Sequence, residues 1–103
     1  MKSEEKISMD YNRTIKMADE LIELAFKFRN LTKEEAMSQL NTLGSNWKGE
    51  NAEHFVRKAA GYLQMASESA DQLEDLARAI KTNAQNVYNA EMHALRLAQQ
   101  RSY

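Results

Sequence analysis

The chain has 103 residues, contains no proline or cysteine and only three glycines, and carries 14 basic against 15 acidic residues. A sequence without cysteine excludes disulfides and thiolate metal sites, and the balanced charge is unlike that of a dedicated nucleic-acid-binding protein. So few glycine and proline residues cannot supply the frequent turns of an all-β domain. Because helix-forming residues dominate, the composition predicts a single all-α domain built from few, long helices.

The first half of the chain predicts one helix over about residues 7–43. From Ile7 to Phe28, apolar side chains recur at alternating steps of four and three residues, which is the period of a helix that packs along a seam. Further apolar residues beside this seam widen it, so we expect the helix to contact more than one neighbour.

An irregularity is predicted within this helix near residues 30–33. The apolar pattern slips in phase after Leu31, and Thr32 followed by Glu35 has the spacing of a capping box, which starts a helix. We therefore expect a kink or a short break at this place. Two separate helices are the alternative interpretation of the same pattern.

The strongest turn signal lies over residues 44–49. Gly44 is expected to end the first helix, because glycine readily adopts the left-handed conformation that follows a helix end. Gly49 is a second helix breaker, and Ser45 and Asn46 between the two glycines are favourable helix-capping residues. A turn in the middle of the chain predicts an antiparallel helical hairpin.

The second half predicts a long helix over about residues 50–98, since apolar residues again recur every three or four positions. A lone hairpin buries only one stripe of each helix, so we expect two hairpins to pair as a dimeric four-helix bundle, either a homodimer or a heterodimer. The residues expected at this dimer or partner interface are Ile15, Leu21, Leu24, Phe28, Phe55, Tyr62, Leu73, Leu76 and Ile80.

The turn contains the one specific motif, because the only tryptophan, Trp47, precedes Gly49 by two residues. Together with the length, the two-helix layout and the downstream Ala52 and Phe55, this motif resembles the WXG (ESAT-6-like) family of small helical proteins exported by type VII secretion systems. The indole is expected to pack in the core and close one end of the bundle. Gly49 is expected to let the backbone turn tightly beside the ring.

The resemblance also implies a C-terminal export signal. In one form of this signal a hydrophobic residue precedes an acid by four positions, and small apolar residues follow the acid at three and seven; Val87, Glu91, Ala94 and Ala98 match it. A second form has a tyrosine four positions before the acid, from which Tyr88 departs because Glu91 is only three residues away. Either Val87 or Tyr88 is expected to present an apolar group beside Glu91, because such neighbours share a helix face.

The resemblance implies an exported protein that acts by helical pairing and binds the export ATPase of a type VII system. It implies synthesis in the cytoplasm and export to the cell surface or beyond without a cleavable signal peptide. A targeting adaptor that pairs with the helical N-terminal domain of a larger type VII toxin is one alternative, and a cytoplasmic helical scaffold unrelated to secretion is another. No catalytic set, metal site, cofactor, nucleic-acid partner or membrane span is expected from the residues present.

Overall fold

The computed structural model describes residues 1–101, and its regular elements are all helices, which confirms the predicted all-α fold for this part of the chain. Helix α1 spans Glu4–Asn30 and leads into a π-helical turn, Leu31–Ala36. Helix α2 spans Met37–Asn46, and helix α3 spans Glu50–Gln100. Across the described residues, no helix combines the length and the apolar character that crossing a bilayer requires.

The helices form two compact units, and each unit contains a segment from both halves of the chain. The terminal unit consists of Met1–Ile22 and the described residues from Asp75 onward, and the central unit consists of Glu23–Glu74. In the terminal unit, the Nζ atom of Lys81 lies 2.7 Å from a carboxylate oxygen of Asp19. Lys2, which precedes Asp19 in the chain, pairs with Glu91, which follows Lys81. The two segments therefore run antiparallel.

The central unit has the same antiparallel order. The guanidinium of Arg29 on α1 donates hydrogen bonds of 2.7 Å to both Asp71 and Glu74 on α3. These hydrogen bonds, the one to Glu74 first, raise the pKa of Arg29. Near the turn the rings of Trp47 and Phe55 are in contact. Each unit therefore contains the antiparallel helix pair that a hairpin requires.

Small side chains form most of the buried seam. The buried apolar residues of the described chain are Ile7, Ala18, Ala25, Leu40, Ala52, Ala70, Ala77, Ala84 and Met92. Alanine predominates in this set, and so short a side chain brings a helix backbone close to its neighbour. The seam predicted from Ile7 to Phe28 is buried or half-buried except at its last residue. Phe28 is exposed because the seam continues through Arg29 and the buried Thr32 instead.

The irregularity predicted near residues 30–33 takes the form of the π-helical turn. Asn30 before it and Ala36 at its end both have right-handed helical dihedral angles, so the backbone path remains helical. The capping box predicted at Thr32 does not form, since its hydroxyl donates to the backbone carbonyl of Arg29 at 3.1 Å. A π turn contains more residues per turn than an α-helix and does not end the helix. It therefore compensates for the shift in the apolar pattern, and Leu40 lies on the buried side of the helix.

The turn is shorter than residues 44–49, and Gly44 does not end the helix. Helix α2 continues through Ser45 and Asn46, whose side chains hydrogen-bond to carbonyls one turn earlier instead of capping α3. Gly44 faces α3, since a methyl group there would lie 3.5 Å from Val56 Cγ1, an ordinary van der Waals distance. The chain reverses over residues 47–49, where Trp47 is extended and Gly49 has a φ of 122°.

Candidate interaction surfaces

The central unit exposes several large apolar side chains on its helices. On α3, Phe55 and Tyr62 lie seven residues apart on one helix face and are 53% and 61% exposed. Leu24 and Phe28 on α1, followed by Leu31 in the π turn, form a second exposed stripe at steps of four and three residues. Large apolar groups concentrated in this way mark a surface that binds another protein.

An open groove lies between α2 and α3 in this unit. It has a volume of about 560 Å³. The residues that line this apolar groove are Ala36, Gln39, Leu40, Leu43, Ala59, Tyr62 and Leu63. An open groove lined by side chains from neighbouring helices can accept side chains from an opposing helix.

The indole of Trp47 lies at the turn and is 43% exposed, so within this chain it is not a core residue. Its ring centroid is 5.6 Å from that of Phe55, with the planes tilted by 56°. The indole therefore contacts Phe55 but remains partly exposed, so the expected closure of this end is incomplete within the described chain. A cavity of about 310 Å³ lies beside it, lined by Gly44, Trp47, Glu53, Val56 and Arg57.

The residues predicted for the partner interface divide into two groups. One group is half-buried, because its members also lie along the seam between the two antiparallel segments: Ile15, Leu21, Leu73 and Ile80. The other group points away from that seam and is exposed: Leu24, Phe28, Phe55, Tyr62 and Leu76. Sequence periodicity identified both groups as apolar, but it does not distinguish a contact within the chain from a surface that the chain leaves open.

The C-terminal residues matched to an export signal lie on α3 in the terminal unit. Val87 is 45% exposed and Ala94 is also exposed, whereas Ala98 is half-buried. Tyr88 is half-buried, and its ring centroid lies 4.9 Å from that of Tyr11. Of the two candidate apolar groups beside Glu91, Val87 is therefore the more available to another protein, because Tyr88 is engaged within the unit.

Glu91 is held by a cluster of charged residues that the sequence pattern did not reveal. The Nζ atom of Lys2 lies 2.9 Å from Oε2 of Glu91 and 3.0 Å from Oδ2 of Asp10. Lys6 approaches the other oxygen of Asp10 at 3.0 Å. The hydrogen bonds of Lys2 to Glu91 and then to Asp10 raise the pKa of Lys2, and the bonds from Lys2 and Lys6 lower the pKa of Asp10.

No group of three or more histidine, aspartate or glutamate side chains within residues 1–101 is arranged to hold a metal ion. The arrangement that the structure does show is one of contact surfaces. The central unit contributes exposed apolar stripes and a groove, and the terminal unit contributes a partly exposed carboxylate beside Val87.

The described chain is all-α, with a tryptophan at the turn between antiparallel segments. The comparison with protein families places a chain of this layout among the helical proteins associated with type VII secretion. The chain belongs to the PPE family, whose family model matches residues 13–100. PPE is a mycobacterial family associated with type VII secretion and is related to the WXG family without being the same. Neither the curated proteins nor the solved structures contain a match to this chain.

The family match confirms the coarser part of the expectation drawn from the WXG motif and leaves the finer part, a specific WXG role, unconfirmed. The association with type VII secretion is confirmed at the level of the family. The family shown is PPE, which is related to the WXG family but is not the same.

Proposed function

We propose that this protein is exported by a type VII secretion system and acts by binding, with no catalytic step. In this proposal the central unit docks against a second helical hairpin, and the terminal unit presents Val87, Glu91, Ala94 and Ala98 to the export ATPase. The observation that carries the proposal is the exposed apolar surface of the central unit, in a chain that belongs to a type VII–associated family.

The groove between α2 and α3 supports pairing with a helix rather than with an extended peptide. Its lining side chains come from helical segments, with Leu43 on α2 and Tyr62 on α3, and a groove between helices accepts the side-chain ridge of another helix. The exposed Phe55 extends the same face of α3 by two turns. Aromatic groups on such a face are the usual anchors of a protein interface.

The leading proposal and its alternative differ in which protein provides the second hairpin. A second copy would give a homodimer, whereas the helical N-terminal domain of a larger toxin would make the chain a targeting adaptor. Light scattering on the purified chain decides between them, because the adaptor is expected to be monomeric until its partner is supplied.

Replacing Tyr62 by glutamate is expected to abolish pairing, because a carboxylate in the groove would lose its hydration on docking. Thr82→Glu is the matched control, since Thr82 is exposed on α3 in the terminal unit, away from the groove. Scattering mass is measured for the chain alone, or with a co-purified toxin domain if the wild type alone is monomeric. A Tyr62→Glu variant that remains helical and pairs as the wild type does would contradict the role of the groove.

Glu91→Ala is expected to remove the protein from the culture supernatant while leaving its amount in cells unchanged. The carboxylate is the one charged group in the matched signal, and a receptor built to pair with it would be left with an unpaired group. Asn89→Ala is the control, as Asn89 is exposed on the same stretch of α3. Immunoblots of the supernatant and cell fractions give the measurement, and normal secretion of Glu91→Ala would exclude this role.

A further inference from the structure

The segment before α1 reaches across the terminal unit to the proposed export signal. Lys2 precedes the first residue of α1, Glu4, and its ammonium bridges Glu91 and Asp10. Ser3 fixes this segment, since its hydroxyl accepts a hydrogen bond from the backbone N–H of Lys6 at 3.2 Å. The direction in which the Lys2 side chain leaves the backbone is therefore held by the N-cap of α1.

Lys2 lies between two recesses that the proposed signal residues border. One, of about 440 Å³, is lined by Met1, Lys2, Ile7, Glu91 and Ala94. The other, of about 90 Å³, also includes Lys2 and Glu91 in its lining, together with Val87. The ammonium thus occupies the position from which any protein that contacts Val87, Glu91 and Ala94 together would reach the carboxylate.

We propose that Lys2 occupies the place of a basic side chain of the export receptor, which displaces it on binding. The receptor surface that fits has an ammonium or guanidinium group for Glu91 and Asp10, flanked by apolar side chains for Val87 and Ala94. This inference rests on the proposed function of Glu91 as part of the export signal.

Charge complementarity determines the chemistry of that partner. Two carboxylates, from Asp10 and Glu91, share the ammonium of Lys2, so its departure would leave them close together without that cation. Asp10 would keep its ion pair with Lys6, so Glu91 is the carboxylate that would lose its cation. A neutral or acidic receptor group would not compensate Glu91, whereas a cationic group restores its pairing. Displacing Lys2 from Glu91 costs little free energy, because their side chains are 43% and 26% exposed and surface ion pairs are weak.

The test measures the affinity of the purified protein for the purified cytoplasmic segment of the type VII export ATPase. Lys2→Gln removes the competing ammonium and is expected to tighten binding about two- to fivefold, the range that a surface ion pair allows. Lys2→Arg is expected to bind as the wild type does. Lys16→Gln is the matched control, because Lys16 is an exposed cation of α1 outside both recesses.

The outcomes separate this inference from the proposed function. Glu91→Gln is expected to weaken binding in both the wild-type and the Lys2→Gln backgrounds, and raising the salt concentration is expected to weaken Lys2→Gln binding more steeply than wild-type binding. If Glu91→Gln binds as tightly as the wild type, the proposed signal itself fails. If Glu91→Gln binds weakly while Lys2→Gln matches the wild type, the signal stands and the role of Lys2 is overturned.

Discussion

Ala77→Leu is expected to lower the free energy of unfolding by about 1 to 3 kcal/mol. Ala77 is 0% exposed on the side of α3 that packs against α1 in the terminal unit. One turn later on α3, Lys81 forms an ion pair with Asp19 of α1, so the two segments face each other at this level. Three additional carbon atoms would push the segments apart and break contacts on both sides of the substitution.

The matched control is Ala79→Leu, which adds the same atoms two residues away at an exposed position on the same helix. Leucine and alanine are both good helix formers, so this control is expected to change the free energy of unfolding by less than about 0.5 kcal/mol. Urea denaturation followed by circular dichroism measures both variants. Equal stabilities for Ala77→Leu and Ala79→Leu would show that the helices of the terminal unit do not meet at Ala77.

Gly49→Ala is expected to cost about 1 to 3 kcal/mol of stability through the backbone alone. Gly49 has a φ of 122°, which side-chain-bearing residues rarely adopt, and it is the residue immediately before α3. Apart from the chain neighbours of Gly49, no atom lies within 4 Å of the position that its Cβ would occupy, so the cost comes from the local backbone and not from packing against other parts of the chain. The strain must be relieved by reshaping the turn at residues 47–49.

Gly61→Ala is the comparison that isolates this backbone effect, because a Cβ at Gly61 also enters open space. Gly61 lies inside α3 with helical geometry, so alanine there is expected to raise stability by about 0.5 to 1 kcal/mol. The two variants add the same methyl group and are expected to change the urea midpoint in opposite directions. A shift of the same sign in both would contradict the assignment of the turn to Gly49.

The helices themselves were predictable because their apolar residues recur every three or four positions in the sequence. The seam that begins at Ile7 is buried at the expected spacing, and the phase slip after Leu31 coincides with the π turn. The end of α2 was not predictable in the same way. Gly44 has the chemistry of a helix stop, but α2 continues past it to Asn46, and Gly44 faces Val56 of the neighbouring helix.

The candidate surfaces show the same division. The sequence identified Tyr62 and Leu73 alike as apolar members of one stripe, yet Tyr62 is exposed and Leu73 is half-buried. Which of them remains open depends on how α3 is rotated towards the opposing segment. No local sequence pattern could predict that Glu91 pairs with Lys2, because the two residues are 89 positions apart in the chain.

The sequence by itself determined the all-α class, the long helices and a turn containing Trp47 and Gly49, because helix propensity and side-chain period act between residues that are near in the chain. Only the tertiary structure decided which apolar residues remain exposed, where α2 ends and which charged groups meet at Glu91. Those properties depend on the separation and rotation of packed helices, and small buried residues such as Ala77 set that separation through contacts distant in the sequence.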